Sequence, residues 1–570
     1  MNQPNPAIVA QSAVRRLPRA ALLLFCLAYV LPGFVWRAPW RNDDVAAYGY
    51  MWAMANHQTD WLAPRLLGIA PDVEGLLPYW LGAWAVQVAP GWLAPTLAAR
   101  LPFIALLLLT LVAVWQGIYY LARSPLAQPV AFAFGGEARP TDYARALADG
   151  GMLAFIACLG LAQLSHETTP ALTQLCFSAL AFYAVAAMPY QRLGPSLAGL
   201  VALLGLTFSG APALAVLFGL GSTAIHLLDR SHNDEGEAAP RRWDRRWAVG
   251  MVLLSLLCAG LADWLDLWRW RIELPAASWT VWHGLASLLL WFTWPAWPLV
   301  LWTLWRWRRQ WLSTQVRRHL ALPLWFAGVT VAATLFTKAG DRALLLALPS
   351  LATLAAFALP TLERSVSALI DWFTLLFFTG CAFIIWVVWI AMQTGFPPQP
   401  AANVARLAPG FVAGFTALPL LFALLATLAW AWLVRWRVGR HRAALWKSMV
   451  LPAGGAALCW LLLTTLWMPL LDHARSYRPL VQRIEALVQP AGCLQTFGLT
   501  PAQLAGLAVH SRLRIEAASD QASCDWLLVE NDTVRQIPEM INPVQWQRLQ
   551  TLSHPREGEE EVVLYRRRQP

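Results

Sequence analysis

Apolar runs long enough to approach or cross a bilayer recur from residue 20 to residue 470. They lie near 20–36, 99–121, 149–164, 171–188, 195–209, 211–228, 247–265, 284–305, 320–337, 342–359, 367–392, 410–434 and 448–470. No other feature limits the fold as tightly. In hydrocarbon every backbone N–H and C=O must find its partner inside the protein, and a helix does so within one segment. The runs therefore predict a mainly α, polytopic membrane protein with about 13 transmembrane helices. Several are shorter than the roughly 20 residues of an untilted span. The chain is 58% apolar and 13% charged, about half the charged share of a soluble domain. So few charges cannot cover several soluble cores, which excludes a mainly soluble enzyme, and the same apolar content excludes disorder.

Arg15, Arg16 and Arg19 precede the first run. Phe34-Val35-Trp36-Arg37 follows it with no small-residue cleavage site, so it reads as an anchor helix and not as a signal peptide. The basic residues between runs concentrate in alternate loops, for example Arg15–Arg19, Arg123–Arg145, Arg241–Arg246, Arg306–Arg318 and Arg435–Lys447. Those loops are read as the inner ones, with the N-terminus inside, and most of the net charge of +11 then records orientation. The clusters at Arg241 and Arg308 are topology anchors and not nucleic-acid sites. An odd number of spans leaves the tail outside.

Residues 1–470 form the membrane domain on this reading, and 471–570 a small α/β domain. Within the tail, Cys493–Phe497, Arg512–Ala517, Trp526–Glu530 and Glu561–Tyr565 read as strands. Residues 477–488 and Pro543–Leu552 read as helices, and Thr500-Pro501 as a helix start. Cys493 and Cys524 are the tail's two cysteines. In an oxidising compartment they are free to pair or to stay reduced, and spacing does not decide which.

Polar residues at the ends of spans mark the places where chemistry is expected. Three segments on the outer side stand out. The first outer loop, 37–98, begins Arg41-Asn42-Asp43-Asp44. Its apolar stretches Met51–Ala55 and Leu76–Val88 predict interfacial helices anchored by Trp52, Trp61, Trp80, Trp84 and Trp92. Adjacent carboxylates there suit a general base or a cation; the plain alternative is a solvated helix cap. The second segment is Ser165-His166-Glu167-Thr168-Thr169-Pro170, where His166 beside Glu167 suits an acceptor hydroxyl or a divalent metal, or is only a polar turn. The third is Thr337-Lys338-Ala339-Gly340-Asp341-Arg342. Lys338 is one of only two lysines, and with Arg342 it suits a phosphate; the alternative is a lysine snorkelling to the interface. A P-loop, Gly-x-Gly-x-x-Gly, Cys-x-x-Cys and His-Glu-x-x-His are all absent.

In this order the three segments resemble the C-type membrane glycosyltransferases, above all the lipid A aminoarabinose transferases and their protein O-mannosyltransferase relatives. Asp44, Tyr48 and Asp60-Trp61-Leu62-Ala63-Pro64-Arg65-Leu66-Leu67-Gly68 fit the family's acidic residue, tyrosine and Asp-Trp-x-x-Pro-x-x-x-Gly. Tyr79-Trp80, Ala98-Ala99-Arg100-Leu101-Pro102, Glu167 and Lys338 through Pro349 follow in sequence. Val73-Glu74-Gly75 replaces the family's Glu-Lys-Pro, which argues against the aminoarabinose reaction itself.

The resemblance implies an inverting transfer of a sugar from a polyprenyl-phosphate donor to a periplasm-facing acceptor: lipid A, another glycan or a protein. It implies catalytic Asp44, Asp43 and Glu167, donor-phosphate binding by Lys338, Arg342 and Arg100, and acceptor or metal binding by His166 and Glu167. The expected setting is a bacterial inner membrane, with a cytoplasmic N-terminus and a periplasmic C-terminal domain. Expected partners are the lipid-linked sugar, its acceptor and membrane lipids, with no nucleic acid. A transporter or flippase of lipid-linked sugars is the alternative. It would carry polar residues at mid-membrane and matched halves, and neither is visible here.

Overall fold

The computed structural model describes residues 5–40, 42–73, 75–229, 241–268, 275–276, 278–313, 315–337, 340–439, 444–488, 492–518, 524–536, 545–554 and 560–568. Each apolar run carries a helix or a pair of helices. The first is α1 (Arg19–Val30), and the segment after it holds α2 (Asp43–Ala55) and α3 (Leu77–Val88). Helix α2 starts eight residues before the apolar stretch expected there, because Asp43 and Asp44 fill its first turn, where the helix dipole favours anions. Next come α4 (Pro95–Ala122), α5 (Pro140–Ala157) with the short α6 (Leu161–Leu164), α7 (Pro170–Ala187), α8 (Leu193–Phe208), α9 (Pro212–Leu228) and α10 (Arg241–Trp264).

The run at 284–305 is two helices, α11 (Trp279–Phe292) and α12 (Ala296–Arg306), bent by 87° at the break. Pro295 stands in that break and has no N–H to continue the ladder. A single turn, α13 (Arg308–Trp311), precedes α14 (Arg318–Phe336), and the run at 342–359 splits into α15 (Gly340–Leu345) and α16 (Leu348–Ala358). After α17 (Arg364–Thr394), α18 (Pro398–Leu407), α19 (Ala417–Gly439) and α20 (Lys447–Leu466) come α21 (Met468–Arg475) and α22 (Arg478–Leu487). Among the described residues, 7 helices are long and apolar enough to cross a membrane, or 8 with the bent pair; four apolar helices are shorter. The chain is a multi-pass membrane protein.

The chain divides into two compact units. One comprises Met1–Gly33, Phe103–Ala382 and Phe422–Leu462; the other comprises Phe34–Pro102, Phe383–Leu421 and Leu463–Pro570. The second unit includes both the segment after α1 and the tail. There α23 (Pro501–His510) packs on α2 so closely that a side chain at Gly49 would collide with Ala505. Thr500 and Gln503 cap α23 reciprocally, as its sequence suggests.

The tail's sheet has the order β2-β1-β3-β5-β4. Its strands are β1 (Cys493–Phe497), β2 (Arg514–Ala517), β3 (Trp526–Glu530), β4 (Trp546–Ser553) and β5 (Glu561–Arg567). Strand β1 runs parallel to β2 and β3, whereas β5 runs antiparallel to β3 and β4. The helix expected at 543–552 is strand β4 over its described part. Apolar residues at 546, 549 and 552 imitate a helical spacing, yet pairing with β5 buries Trp546 and Leu552 and leaves Leu549 48% exposed. Cross-strand packing overrides local pattern here. Cys493 and Cys524 are joined by a disulfide, with their Cα atoms 5.0 Å apart.

Candidate active site

The turn between α1 and α2 carries the first constellation, all within the second unit. Asp44 is buried, and its Oδ2 accepts from Arg37 Nη1 at 2.7 Å and from the Trp40 N–H at 3.1 Å. Arg37 is equally buried, so two opposite charges leave water together. Such a pair holds only while both partners are present. The solvated cap considered from sequence is therefore not what Asp44 is. Asp43, on the same turn, is half-buried.

Asp472, at the middle of α21, fixes this turn from the other end of the sequence. Its Oδ1 accepts from the Ala38 N–H at 2.8 Å and from Trp40 Nε1 at 3.2 Å. The guanidinium groups of Arg37 and Arg475 lie 4.7 and 5.1 Å from the Trp40 ring centroid, within cation–π range. Arg100 is buried on α4, and its Nη1 donates to the carbonyls of Phe34 at 3.2 Å and Arg37 at 2.6 Å. Its Nη2 has no hydrogen-bond partner among the described residues. Burial pushes the Tyr48 hydroxyl above its ordinary pKa, with Arg100 opposing the shift.

The other motif residues of this segment close its loop. Asp60 Oδ1 accepts from the Leu62 N–H at 3.1 Å, Trp80 Nε1 donates to the Trp61 carbonyl at 2.8 Å, and Tyr79 donates to the Val73 carbonyl at 3.0 Å. Trp84 stacks on Trp61 with 6.1 Å between centroids.

A second constellation lies in the first unit, at the turn between α6 and α7. Ser165, His166, Glu167, Thr168 and Thr169 are all buried, so this is no solvated turn. Glu167 accepts from Gln163 Nε2 at 3.0 Å, and its other oxygen lies 3.7 Å from Arg342 Nη2. The ring of His166 packs edge-on to Tyr29 and against Trp460, with centroids 5.3 and 4.7 Å away. His166 Nε2 faces the Tyr29 carbonyl at 3.1 Å, while Nδ1 meets the Ala162 carbonyl and the Ser165 hydroxyl. With both ring nitrogens turned to protein oxygens, His166 does not fit a metal ligand in this arrangement.

Gly33 makes this packing possible. A methyl group there would collide with the His166 ring and lie 2.6 Å from Trp460. Gly33→Ala is expected to lower stability by about 1–3 kcal/mol, as overpacking does. Gly91→Ala, which points into open space, should leave the melting temperature in detergent near that of the parent protein.

Of the residues singled out from sequence, Asp44, Asp43 and Arg100 fall in one constellation and Glu167, His166 and Arg342 in the other. Lys338, with Arg41 and Glu74, lies outside the described residues. Sequence reasoning missed Arg37, Trp40, Asp472 and Arg475. The one available signal was a charged pair, Asp472 and Arg475, just beyond the last apolar run.

No family model and no curated protein matches the chain. Among solved structures it is similar to ArnT from Cupriavidus metallidurans bound to undecaprenyl phosphate, with a TM-score of 0.58 and 14% identity over 96% of this chain and 98% of that one. The apo state of that protein gives the same values. The arabinosyltransferase EmbB from Mycobacterium smegmatis matches with a TM-score of 0.40 and 16% identity, over 80% of this chain and 42% of that one. The chain has the fold of ArnT over nearly its whole length.

Proposed function

We propose that this chain is an inverting glycosyltransferase that takes a sugar from a polyprenyl-phosphate donor and passes it to an acceptor on the outer side of a bacterial inner membrane. One observation carries the reading: on the fold of ArnT, whose solved structure holds undecaprenyl phosphate, a buried carboxylate–guanidinium pair, Asp44 and Arg37, stands just after the first helix. Burying such a pair is costly unless it is used or well supported, and here Trp40 and Asp472 support it.

In the reaction the acceptor hydroxyl oxygen bonds to the anomeric carbon while the bond from that carbon to the lipid phosphate breaks. Asp44 takes the hydroxyl proton, with Asp43 on the same turn as the second candidate. The departing phosphate keeps the bonding pair, and Arg100, Arg342 and Lys338 are the cations that meet its charge. A phosphate arriving near Arg37 competes with Asp44 for its guanidinium, and that exchange frees the carboxylate to act as base. Glu167, held by Gln163 and Arg342, orients the acceptor, and His166 fixes the turn that presents it.

Sugar and acceptor are read by comparing cells with and without the gene. Mass spectrometry of lipid A, surface glycans and periplasmic proteins should show one of them lighter by a single sugar residue in the deletion. Unchanged masses in all three would overturn the proposal.

A further inference from the structure

Helix α1 is only partly covered by protein, and a groove runs along each of its flanks. The two are of similar size, about 540 and 510 Å³, within the range of small-ligand sites. They differ in charge. The smaller, between α1, α19 and α20, is lined by apolar side chains such as Phe25, Trp430 and Leu458 and by no charged residue. The larger, between α1, α4 and α5, has apolar walls at one end and three arginines at the other.

Leu23, Leu27, Leu108, Val112 and Met152 form the apolar part. Leu23 and Val112 are 64% and 56% exposed, so the groove opens sideways along the bundle. Arg16, Arg19 and Arg145 line the other end, with Asp149 as the one carboxylate among the lining residues. Asp149 is turned inward: its two oxygens accept from Trp115 Nε1 at 2.9 Å and from the Leu17 N–H at 3.4 Å. Arg16 reaches Asp142 at 3.1 Å, but its side chain is 67% exposed, and such a pair exchanges partners at little cost.

Orientation alone asks only that basic residues lie somewhere in an inner loop. Here two separate basic segments, the one before α1 and the first half of α5, bring cations to the mouth of one apolar groove. The equally large groove on the other flank receives none. Basic pockets between membrane helices recognise acidic head groups.

We propose that the groove between α1, α4 and α5 binds an acidic glycerophospholipid of the bilayer. Its phosphate lies on Arg16, Arg19 and Arg145, and one acyl chain follows Leu23, Leu27, Leu108 and Val112. The site is independent of sugar transfer, which uses none of these residues, and it anchors α1.

Native mass spectrometry of the full chain, released from detergent after incubation with phosphatidylglycerol or phosphatidylcholine, tests this. The parent protein should retain phosphatidylglycerol in preference to phosphatidylcholine. Replacing Arg16, Arg19 and Arg145 together by Gln should lower that retention by about tenfold or more, given three cations near one phosphate. Val112→Trp leaves every arginine in place and fills the groove from its open side, so it should lower retention as well. Ala429→Trp, on the uncharged groove, should not. Equal retention of the two lipids, undiminished retention by both the triple variant and Val112→Trp, displacement by polyprenyl phosphate at equal concentration, or a dimer mass in place of the lipid adduct would each overturn the proposal.

Discussion

Asp44→Asn abolishes sugar transfer, and on this structure it also weakens the fold. Loss of a general base costs typically 10²–10⁴-fold in rate. Asparagine keeps an oxygen for the Trp40 N–H but no charge for Arg37, whose side chain is 2% exposed. A buried cation left without its anion costs about 3–5 kcal/mol. The single variant therefore confounds catalysis with stability, and inactivity alone proves little. Replacing both partners separates them. Arg37→Gln with Asp44→Asn removes both charges and keeps hydrogen-bonding groups of similar shape, so the melting temperature should return most of the way to that of the parent. Transfer from lipid-linked sugar, measured in membranes, should stay lost. If activity recovers together with stability, Asp44 only holds the turn and is not the base. Asp43→Asn is the companion measurement: it stands half-buried on the same turn, and a larger loss there would move the base by one residue.

The membrane fold was legible because hydrocarbon enforces a simple rule, and an apolar run of the right length has few alternatives to a helix. What stayed hidden depended on partners distant in sequence. Trp546, Leu549 and Leu552 have a helical spacing, and only the approach of β5 makes them a strand. The bend between α11 and α12 is of another kind: the run at 284–305 reads as one helix, and Pro295 within it is the local signal that this reading passes over.

At the candidate site the sequence identified residue types and missed their environments. Asp44 was singled out by its spacing to Asp60-Trp61, but its burial against Arg37 was not. Arg100 was assigned to a phosphate, and the structure shows Nη1 committed to the Phe34 and Arg37 carbonyls, leaving Nη2 as the group available to a ligand. His166 looked like a ligand or acceptor contact because it follows a span; its ring instead wedges between Tyr29 and Trp460. Asp472 carried only the signal of a charged pair with Arg475 just beyond the last apolar run. Nothing near it in the chain indicates that it will hold Trp40, because that contact exists only after the two ends of the second unit have met.

Removing the disulfide should have the other large effect. Cys493 opens β1 and Cys524 lies just before β3, at a sequence separation of 31. These strands are parallel neighbours, so no hairpin holds them together and the crossover must be ordered against its full loop entropy. Closing a loop of that length restricts the unfolded chain by about 3–4 kcal/mol in the entropic account. Small domains have only about 5–15 kcal/mol in all. Cys493→Ala with Cys524→Ala should therefore raise amide exchange throughout β1 and β3 in the intact protein, with little change in the apolar helices. The same pair tests orientation. A structural disulfide persists in an oxidising compartment and not in the cytosol, so a membrane-impermeant maleimide applied to spheroplasts should leave both tail cysteines unlabelled until a reductant is added. Labelling without reductant would mean that the bond is absent in the cell. No labelling after reduction, with labelling only once the membrane is broken, would place the tail inside and reverse the orientation derived from the arginines.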